Sequence, residues 1–421
     1  MMTTLLILVF VVGYFAIAFE HPLKVDKAAS ALLTGVLCWT IYIFSSGNAQ
    51  FSENVTGELG HVFGEISGIL FFLLGAMVIV EMVDAFEGFA IITKRISATN
   101  KVKLLWVLAL ITFFLSAILD NLTTTIVMIS LLRKLVDDKD DRLLYAGVIV
   151  IAANAGGAWT VTGDVTTTML WIKGKISAVA IMKTLFLPSL ACLLVPLVIL
   201  SFRMKGEVQR PVLIDAEENA IKPFHKNLVF ALGIGGLLFV PIFKSVTHLP
   251  PFMGMLFSLG VLWVVTEIIN PKMDSVMRSS TKVVSVLKNI DSSSILFFLG
   301  ILLAVGSLGS AGLLMDLAQM LDATIGDKNS IAVVIGFASS VVDNVPLVAA
   351  GMEMYSMPMD DPFWEFLAYC AGTGGSCLVI GSAAGVAAMG MEKMNFLWYL
   401  KKFTPLAIVG YLAGVAVYVL F

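Results

Sequence analysis

Long uncharged apolar runs restrict the possible folds of this chain more than any other feature. Several of them reach the length of about 18 residues at which a helix crosses a bilayer, and they lie at 1–19, 184–202, 295–315 and 403–421. Of the 421 residues, 14% are charged, against roughly 25% in an ordinary soluble domain. The sequence therefore predicts an all-α polytopic membrane protein.

The rest of the composition argues against other classes of protein. The net charge is −3, and no basic cluster with interleaved aromatic residues indicates binding to nucleic acid. The N-terminus lacks the positive region and cleavage site of a signal peptide, so we expect an uncleaved first span. The cysteines lie in apolar segments without metal-ligand spacing, which favours small buried hydrophobic residues: Cys38, Cys192, Cys370 and Cys377.

Polar residues interrupt the apolar sequence once in each half, and their motifs follow one another in the same order in both halves. Each polar break consists of an Asp-Asn pair and a later Gly-Gly-x5-Gly segment: Asp120-Asn121 with Gly156-Gly157 and Gly163, then Asp343-Asn344 with Gly374-Gly375 and Gly381. A carboxylate in lipid is costly and usually functional. A polar break that occurs in both halves of a transporter indicates its binding site.

Internal similarity divides the chain into two halves. The motif Ile-Leu-Phe-Phe-Leu occurs at 69–73 and again at 295–299, before the Asp-Asn pair of each half. The most polar long stretch lies between the copies and is the natural linker. We expect a first repeat, a cytoplasmic linker and a second repeat at 1–203, 204–226 and 227–421.

Lysine and arginine in short loops predict how the segments enter the membrane, because cytoplasmic loops are enriched in them. Segment 104–132 has basic residues at both ends, so both ends should be cytoplasmic. It should therefore form a re-entrant hairpin with its tip at Asp120-Asn121. The basic residues are Lys94, Arg95, Lys101, Lys103, Arg133, Lys134, Lys139 and Arg142.

Segment 330–356 has the opposite pattern, with almost no lysine or arginine at its ends. It should enter from outside, which makes the two predicted repeats inverted copies. We also expect broken transmembrane helices at about 143–172 and 363–391, both termini outside the cytoplasm, and roughly ten spanning helices in all. The neighbouring cytoplasmic loops are marked by Lys272, Arg278, Lys282, Lys288, Lys393, Lys401 and Lys402.

The hairpin tips carry residues that begin or end helices. Non-helical backbone at membrane depth must be buried or line a wet cavity, and carbonyl and asparagine oxygens suit a small hard cation such as Na⁺. The alternative is that both Asp-Asn pairs are ordinary helix caps in water. The apolar sequence around them, at 113–119 and 345–351, argues against that alternative.

The two Gly-Gly segments are not chemically equivalent. The first ends with Asp164, whereas the second offers hydroxyls and no carboxylate. Tight helix packing alone would explain the glycines, but it would not explain Asp164. We therefore expect the proton-titratable, cation-binding carboxylate in the first half. Glu65 is a possible accessory acid, although an acid at the boundary of a span is usually just solvated.

At these motifs the chain resembles the NhaD-type sodium/proton antiporters, within the ion transporter superfamily. The resemblance covers the whole chain and rests on the segments 116–125, 154–160, 163–168 and 339–346. It implies a bacterial inner membrane, inverted repeats with opposed hairpins, a homodimer, and exchange of cytoplasmic Na⁺, often Li⁺, for external H⁺. Symporter relatives carry Ser-Asn-Thr at both hairpin tips, whereas this chain has Asp-Asn, which favours a cation-only cargo.

Our hypothesis is that Asp164, Asp120 and Asp343 form a carboxylate cluster near the midplane. Low dielectric and neighbouring carboxylates favour the protonated form of such groups, so H⁺ and Na⁺ would compete for one site. Na⁺ would lie at Asp164, Asp120, Asn121 and Asn344. Neutral oxygens would come from Asn121, Thr123, Thr124, Asn154, Thr166, Thr167, Ser339, Asn344, Thr373, Ser376 and Ser382.

Two alternatives remain open at the level of sequence. One is a sodium-coupled di- or tricarboxylate symporter of the same superfamily, for which the tips have few hydroxyls and no basic residue. The other is an intramembrane aspartyl protease, which would give the duplicated hairpins no role. We expect no enzyme activity and no cofactor beyond the transported ions.

Overall fold

The computed structural model describes residues 2–45, 49–93, 96–211, 221–270 and 280–420. Within these ranges the backbone is helical apart from turns, short loops and one isolated bridge between Asn100 and Glu207. This confirms the predicted all-α class. Lys94, Arg95, Lys272, Arg278 and residues 212–220 of the predicted linker lie outside the described residues.

Helices of the first half follow the apolar runs and are interrupted where the polar breaks lie. They are α1 (Met2–Ala18), α2 (Glu20–Leu23), α3 (Lys27–Ile43), α4 (Ala49–Ala85), α5 (Ala90–Thr93), α6 (Lys101–Ser116), α7 (Asn121–Leu135), α8 (Lys139–Gly157), α9 (Val165–Ile172) and α10 (Ala178–Arg203).

The second half shows the same alternation of long and interrupted helices. They are α11 (Pro223–Thr247), α12 (Pro251–Ile269), α13 (Val283–Val286), α14 (Ser292–Ser310), α15 (Leu313–Thr324), α16 (Lys328–Ala338), α17 (Asn344–Met354), α18 (Pro362–Gly374), α19 (Ala383–Glu392), α20 (Phe396–Lys402) and α21 (Thr404–Leu420).

Helix length and composition support a multi-pass membrane protein. Among the described residues, five helices are long and apolar enough to cross a membrane, or six when the bent pair α20 and α21 counts as one span. The expected number of about ten is reached only by adding α1, α3 and the interrupted pairs α8–α9 and α18–α19. That larger number stays a prediction.

Four short breaks lie where polar residues interrupt the apolar sequence. Residues 117–120 separate α6 from α7, and residues 339–343 separate α16 from α17. Residues 158–164 and 375–382 interrupt the predicted broken helices. Each half therefore contains a helix pair with a sharp break, followed by a helix that stops and restarts. The opposed orientation of the two halves stays a prediction.

Glycine allows the paired elements of each half to pack backbone against backbone. A Cβ at Gly156 of α8 would collide with the carbonyl of Phe113 in α6. A Cβ at Gly374 of α18 would collide in the same way with the carbonyl of Gly336 in α16. At these glycines α8 packs closely against α6, and α18 packs closely against α16.

Candidate cation site

Asp164 is the centre of the polar network. It is 2% exposed and forms the N-cap of α9. The backbone N–H and the hydroxyl of Thr166 donate to its Oδ1 at 2.8 and 2.6 Å. Its Oδ2 accepts from the side-chain amide of Asn121 at 2.6 Å. Every carboxylate oxygen therefore has a donor, as a buried charge requires.

Both predicted hairpins bring an asparagine to this carboxylate. Asn121 is the first residue of α7, and Asn344 is the first residue of α17. Asn344 Nδ2 lies 3.4 Å from both oxygens of Asp164, a longer contact than that of Asn121. Two segments more than 200 residues apart in sequence thus converge on one carboxylate.

Asn154 connects the network of the first half to the broken helix of the second half. Its Oδ1 accepts from Asn121 Nδ2 at 3.0 Å. Its Nδ2 donates to the hydroxyls of Ser376 and Ser382, both at 2.9 Å. Asn154 is fully buried, and both ends of its amide are therefore used within the protein.

Asp120 and Asp343 play a different part from the one that the sequence suggested. Asp120 caps α7, because its side chain accepts from the backbone N–H and the hydroxyl of Thr123 at 2.8 and 2.7 Å. Asp343 caps α17 through the N–H of Val345 at 3.1 Å. The two carboxylates interact electrostatically with Asp164, but the neighbouring asparagines make the hydrogen bonds to it.

The backbone of Asp120 is strained. Its φ of 142° falls in a region that non-glycine residues rarely adopt, at a cost of order 1–3 kcal/mol. Such strain persists only where surrounding structure holds it and is concentrated at functional sites. Here it turns the chain so that the Asp120 side chain caps α7 while Asn121 reaches Asp164.

The remaining predicted residues surround the network without joining it. The Thr167 hydroxyl donates to the backbone carbonyl of Asp164 at 2.8 Å. Ser339 donates to the carbonyl of Ala371, and Thr373 donates within its own helix. The Thr124 hydroxyl is buried and has no hydrogen-bond partner among the described residues. It is therefore available to a cation or a water.

Glu65, the possible accessory acid, belongs to a separate ion pair. Its carboxylate pairs with Lys173, at the C-terminal end of α9. Asp164 lies at the opposite end of that helix, about 12 Å away along its axis. His61 Nδ1 is 3.7 Å from Glu65. Glu65 is thus outside the Asp164 network.

Four helix N-termini converge at the network. Asp164, Asp120, Asp343 and Ser382 are the N-caps of α9, α7, α17 and α19. The free N–H groups of a helix start carry partial positive charge, which stabilises a nearby anion. Three of these four positions are filled by carboxylates of the protein itself.

A cavity of about 550 Å³ reaches the edge of this network. It is lined near the site by Thr123, Asp343 and Ser382. Six carboxylates and one lysine line its whole extent: Glu20, Asp26, Glu81, Asp84, Asp291, Asp343 and Lys27. Glu81, Asp84 and Asp291 lie at the ends of apolar runs, where the sequence predicts only solvated acids, so their place in one cavity was not predicted.

The chemistry of its donor atoms limits what the network could bind. No group of three or more His, Cys, Asp and Glu side chains that could hold a metal ion occurs in the part of the chain that the structure describes. One carboxylate, three amides and several hydroxyls are all hard donors. Fold and site together define a membrane transporter with a polar site where broken helices meet.

Similarity to known proteins narrows this class. Residues 14–372 match the family described as "Citrate transporter". "Sodium/proton antiporter 1" and "Sodium/proton antiporter 2" of Arabidopsis thaliana are 52% and 48% identical; the matches cover 98% of this chain in both cases and 71% and 98% of the relatives. "Na(+)/H(+) antiporter NhaD" of Vibrio cholerae is 31% identical over 98% of this chain and 91% of that relative. The chain therefore belongs to the NhaD-type sodium/proton antiporter family, which confirms the resemblance seen in its motifs.

Proposed function

We propose that this protein exchanges cytoplasmic Na⁺, and also Li⁺, for external H⁺ at Asp164. The observation that carries the proposal is the position of one buried carboxylate between amide groups from both hairpins. A proton or an alkali cation neutralises this carboxylate, and one site does not hold both. Such competition gives exchange, provided that the site crosses the membrane poorly when it is empty.

The asparagines provide a physical switch between the two forms of the site. In this structure Asn121 and Asn344 turn their NH₂ groups toward Asp164. Rotation of an amide by half a turn presents its oxygen instead, because oxygen and nitrogen lie on opposite sides. Na⁺ would then contact Asp164, the two amide oxygens and the free Thr124 hydroxyl. Asp120 would contribute through its charge, because its oxygens already cap α7.

A sodium-coupled carboxylate symporter is the second candidate, because the matched family is described as a citrate transporter. Converging helix N-termini suit an anionic substrate. In this chain, however, Asp164, Asp120 and Asp343 occupy three of those four positions. A substrate carboxylate would meet like charge there, at a cost that a cation does not have. The site chemistry therefore favours the cation.

The acidic cavity would supply the cation from one side of the membrane. Clefts lined by one sign of charge raise the local concentration of counter-ions, and the carboxylates here outnumber the single lysine. Asp84 and Asp291 lie next to loops that the sequence predicts to be cytoplasmic. We infer that the cavity opens to the cytoplasm and that Na⁺ enters through it.

The larger architecture belongs to the same proposal. Two halves at 1–203 and 227–421 repeat the order of hairpin and broken helix, and inversion of one half would place the two hairpins on opposite faces. The helix α11 begins at Pro223, inside the predicted linker. A homodimer, extracytoplasmic termini and a bacterial inner membrane remain predictions, and the relatives include plant as well as bacterial proteins.

Everted membrane vesicles test the exchange directly. The vesicles contain this protein in a host without its own sodium/proton antiporters and are energised to be acidic inside. Addition of NaCl or LiCl should dissipate the proton gradient, whereas KCl should have less effect. No response to any cation, together with Na⁺-dependent uptake of labelled succinate, would replace the proposal with the symporter.

A further inference from the structure

An ionic cluster around one buried glutamate joins the two halves at a distance from the candidate cation site. Glu392, at the end of α19, is 4% exposed. Arg133 Nε is 2.7 Å from its Oε1, and Arg142 Nε is 3.1 Å from its Oε2. Arg133 lies in α7 and Arg142 in α8. We call these three residues the arginine–glutamate clamp.

Backbone contacts strengthen the clamp. Arg133 also donates to the carbonyl of Met391, next to Glu392. Arg142 donates to the carbonyls of Asp137 and Val136 at 2.6 and 3.3 Å, in the loop between α7 and α8. Each arginine therefore fixes a helix end as well as a charge, and the planar guanidinium restricts the relative orientation of the ends that it joins.

The three clamped helices are those that carry the cross-linked part of the polar network. Asn121 begins α7, Asn154 lies near the end of α8, and Ser382 caps α19. These three side chains are joined by hydrogen bonds at 3.0 and 2.9 Å. The helices are thus tied together twice, once at the network and once at the clamp.

The distance along the helix from the clamp residue to the network residue is similar in α7, α8 and α19. Arg133 follows Asn121 by 12 residues, and Asn154 follows Arg142 by 12 residues, which is about 18 Å of helix in each case. Glu392 follows Ser382 by 10 residues, or about 15 Å. A slip of one helix against the others at the clamp would therefore displace its site residue by a similar distance.

We propose that the arginine–glutamate clamp positions Asn121, Asn154 and Ser382 by fixing the axial register of α7, α8 and α19. The three clamp residues are positioning residues, because none of them contacts the network. This inference rests on the proposed function, since its consequence for the protein is a defined affinity for the transported cation.

The test compares Glu392→Gln with a matched ion pair. Glu392→Gln leaves two arginines without their counter-charge and should raise the KM for Na⁺ by about tenfold or more, because small displacements of site groups have large effects. Vmax per folded protein should change less than KM. Asp141→Asn is the control, because Asp141 pairs with Lys101 at 2.7 Å within the first half only, and its KM should stay at the wild-type value.

Two further variants separate positioning from folding. Glu392→Asp keeps the charge and should restore part of the wild-type KM. Replacing Arg133, Arg142 and Glu392 together by methionine leaves no buried carboxylate unpaired, and replacing a buried ion pair by apolar residues of similar volume is often neutral for stability. This triple variant should stay folded, as measured by its melting temperature, and still show the raised KM.

Hydrogen exchange gives a readout that does not depend on transport. In Glu392→Gln, the amides of the first turn of α19, next to Ser382, should exchange faster. An unchanged KM in folded Glu392→Gln, or faster exchange restricted to the last turn of α19, would overturn the inference. If the wild-type protein exchanges no cation, the proposed function fails, and hydrogen exchange still decides whether the clamp positions Ser382.

Discussion

The break between α8 and α9 and the break between α18 and α19 share the backbone conformation of the residue where the helix restarts, but they differ in chemistry. The residue that restarts the helix has φ and ψ of −145° and 147° at Asp164, and of −142° and 152° at Ser382. Asp164 caps its helix through Thr166 and Ser382 through Gly385. The first cap is a carboxylate and the second a hydroxyl, so only the first can change its charge with pH.

The far ends of the two restarted helices are also held by different partners. Lys244 of α11 donates to the carbonyl of Trp171 at the end of α9, at 2.9 Å, while Lys173 pairs with Glu65 of α4. By contrast, α19 ends in the arginine–glutamate clamp with α7 and α8. In the proposed function, the first break would supply the carboxylate that binds the cation, and the second break would hold a fixed frame around it.

Replacing the cap residues Asp164 and Ser382 should give the largest difference in ion exchange between the two breaks. Asp164→Asn keeps the shape of the cap but removes the carboxylate that we propose a proton and a cation share, so Na⁺-dependent dissipation of the proton gradient should be lost. Ser382→Ala removes a cap and one hydrogen bond to Asn154, and should cost about 1 kcal/mol of stability with exchange retained. Vesicle assays normalised to protein in the membrane measure both. Normal exchange by Asp164→Asn would refute the assignment.

Replacing Asn121 and Asn344 should give the next largest effects, and the two effects should differ in size. Asn121 is 2.6 Å from Asp164, and Asn344 is 3.4 Å away. Asn121→Ala removes the amide oxygen that would contact Na⁺ and also the hydrogen bond to Asn154. Apparent Na⁺ binding should therefore weaken by about 1.5–3 kcal/mol, the usual worth of a polar contact to a charged group. Asn344→Ala should cost less. The KM for Na⁺ and for Li⁺ measures both effects, and a larger effect of Asn344→Ala would show that the transported state differs from this structure.

Replacing the close-packed glycine of either half by alanine should lower stability by a similar amount. Gly156→Ala and Gly374→Ala each push a methyl group against a backbone carbonyl, and such overpacking typically costs 1–3 kcal/mol. Both should lower the melting temperature of the purified protein. Gly260→Ala is the control, because a Cβ there meets no atom within 4 Å. Stable variants at both positions would mean that the helices separate easily.

Removing one charge from the cavity wall should have the smallest effect on the KM for Na⁺. Asp84→Asn removes one of several carboxylates from its wall and should raise the KM for Na⁺ only a few-fold at low ionic strength, because charge steering is screened by salt. The difference from wild type should disappear when choline chloride is added. An effect that is independent of salt would place Asp84 in direct contact with the cation.

Polar residues in apolar sequence located the breaks well. The Asp-Asn pairs and Gly-Gly segments lie at the four helix interruptions of the structure, because a residue that caps a helix in lipid marks where the helix starts. The role of each side chain was not predictable to the same extent. Asp120 and Asp343 look like the better cation ligands on charge, yet each is used by its own helix, and the asparagine after it reaches Asp164.

Local composition and spacing were enough to predict the class of protein, the positions of the breaks and the presence of a carboxylate in only one of the two Gly-Gly segments. Which polar groups meet depends on tertiary packing and was not predictable from sequence. Asn154 with Ser382, and Glu392 with Arg133, lie more than 200 residues apart. Such pairs depend on how helices pack, and a single sequence records no signal for the partner of a buried polar group.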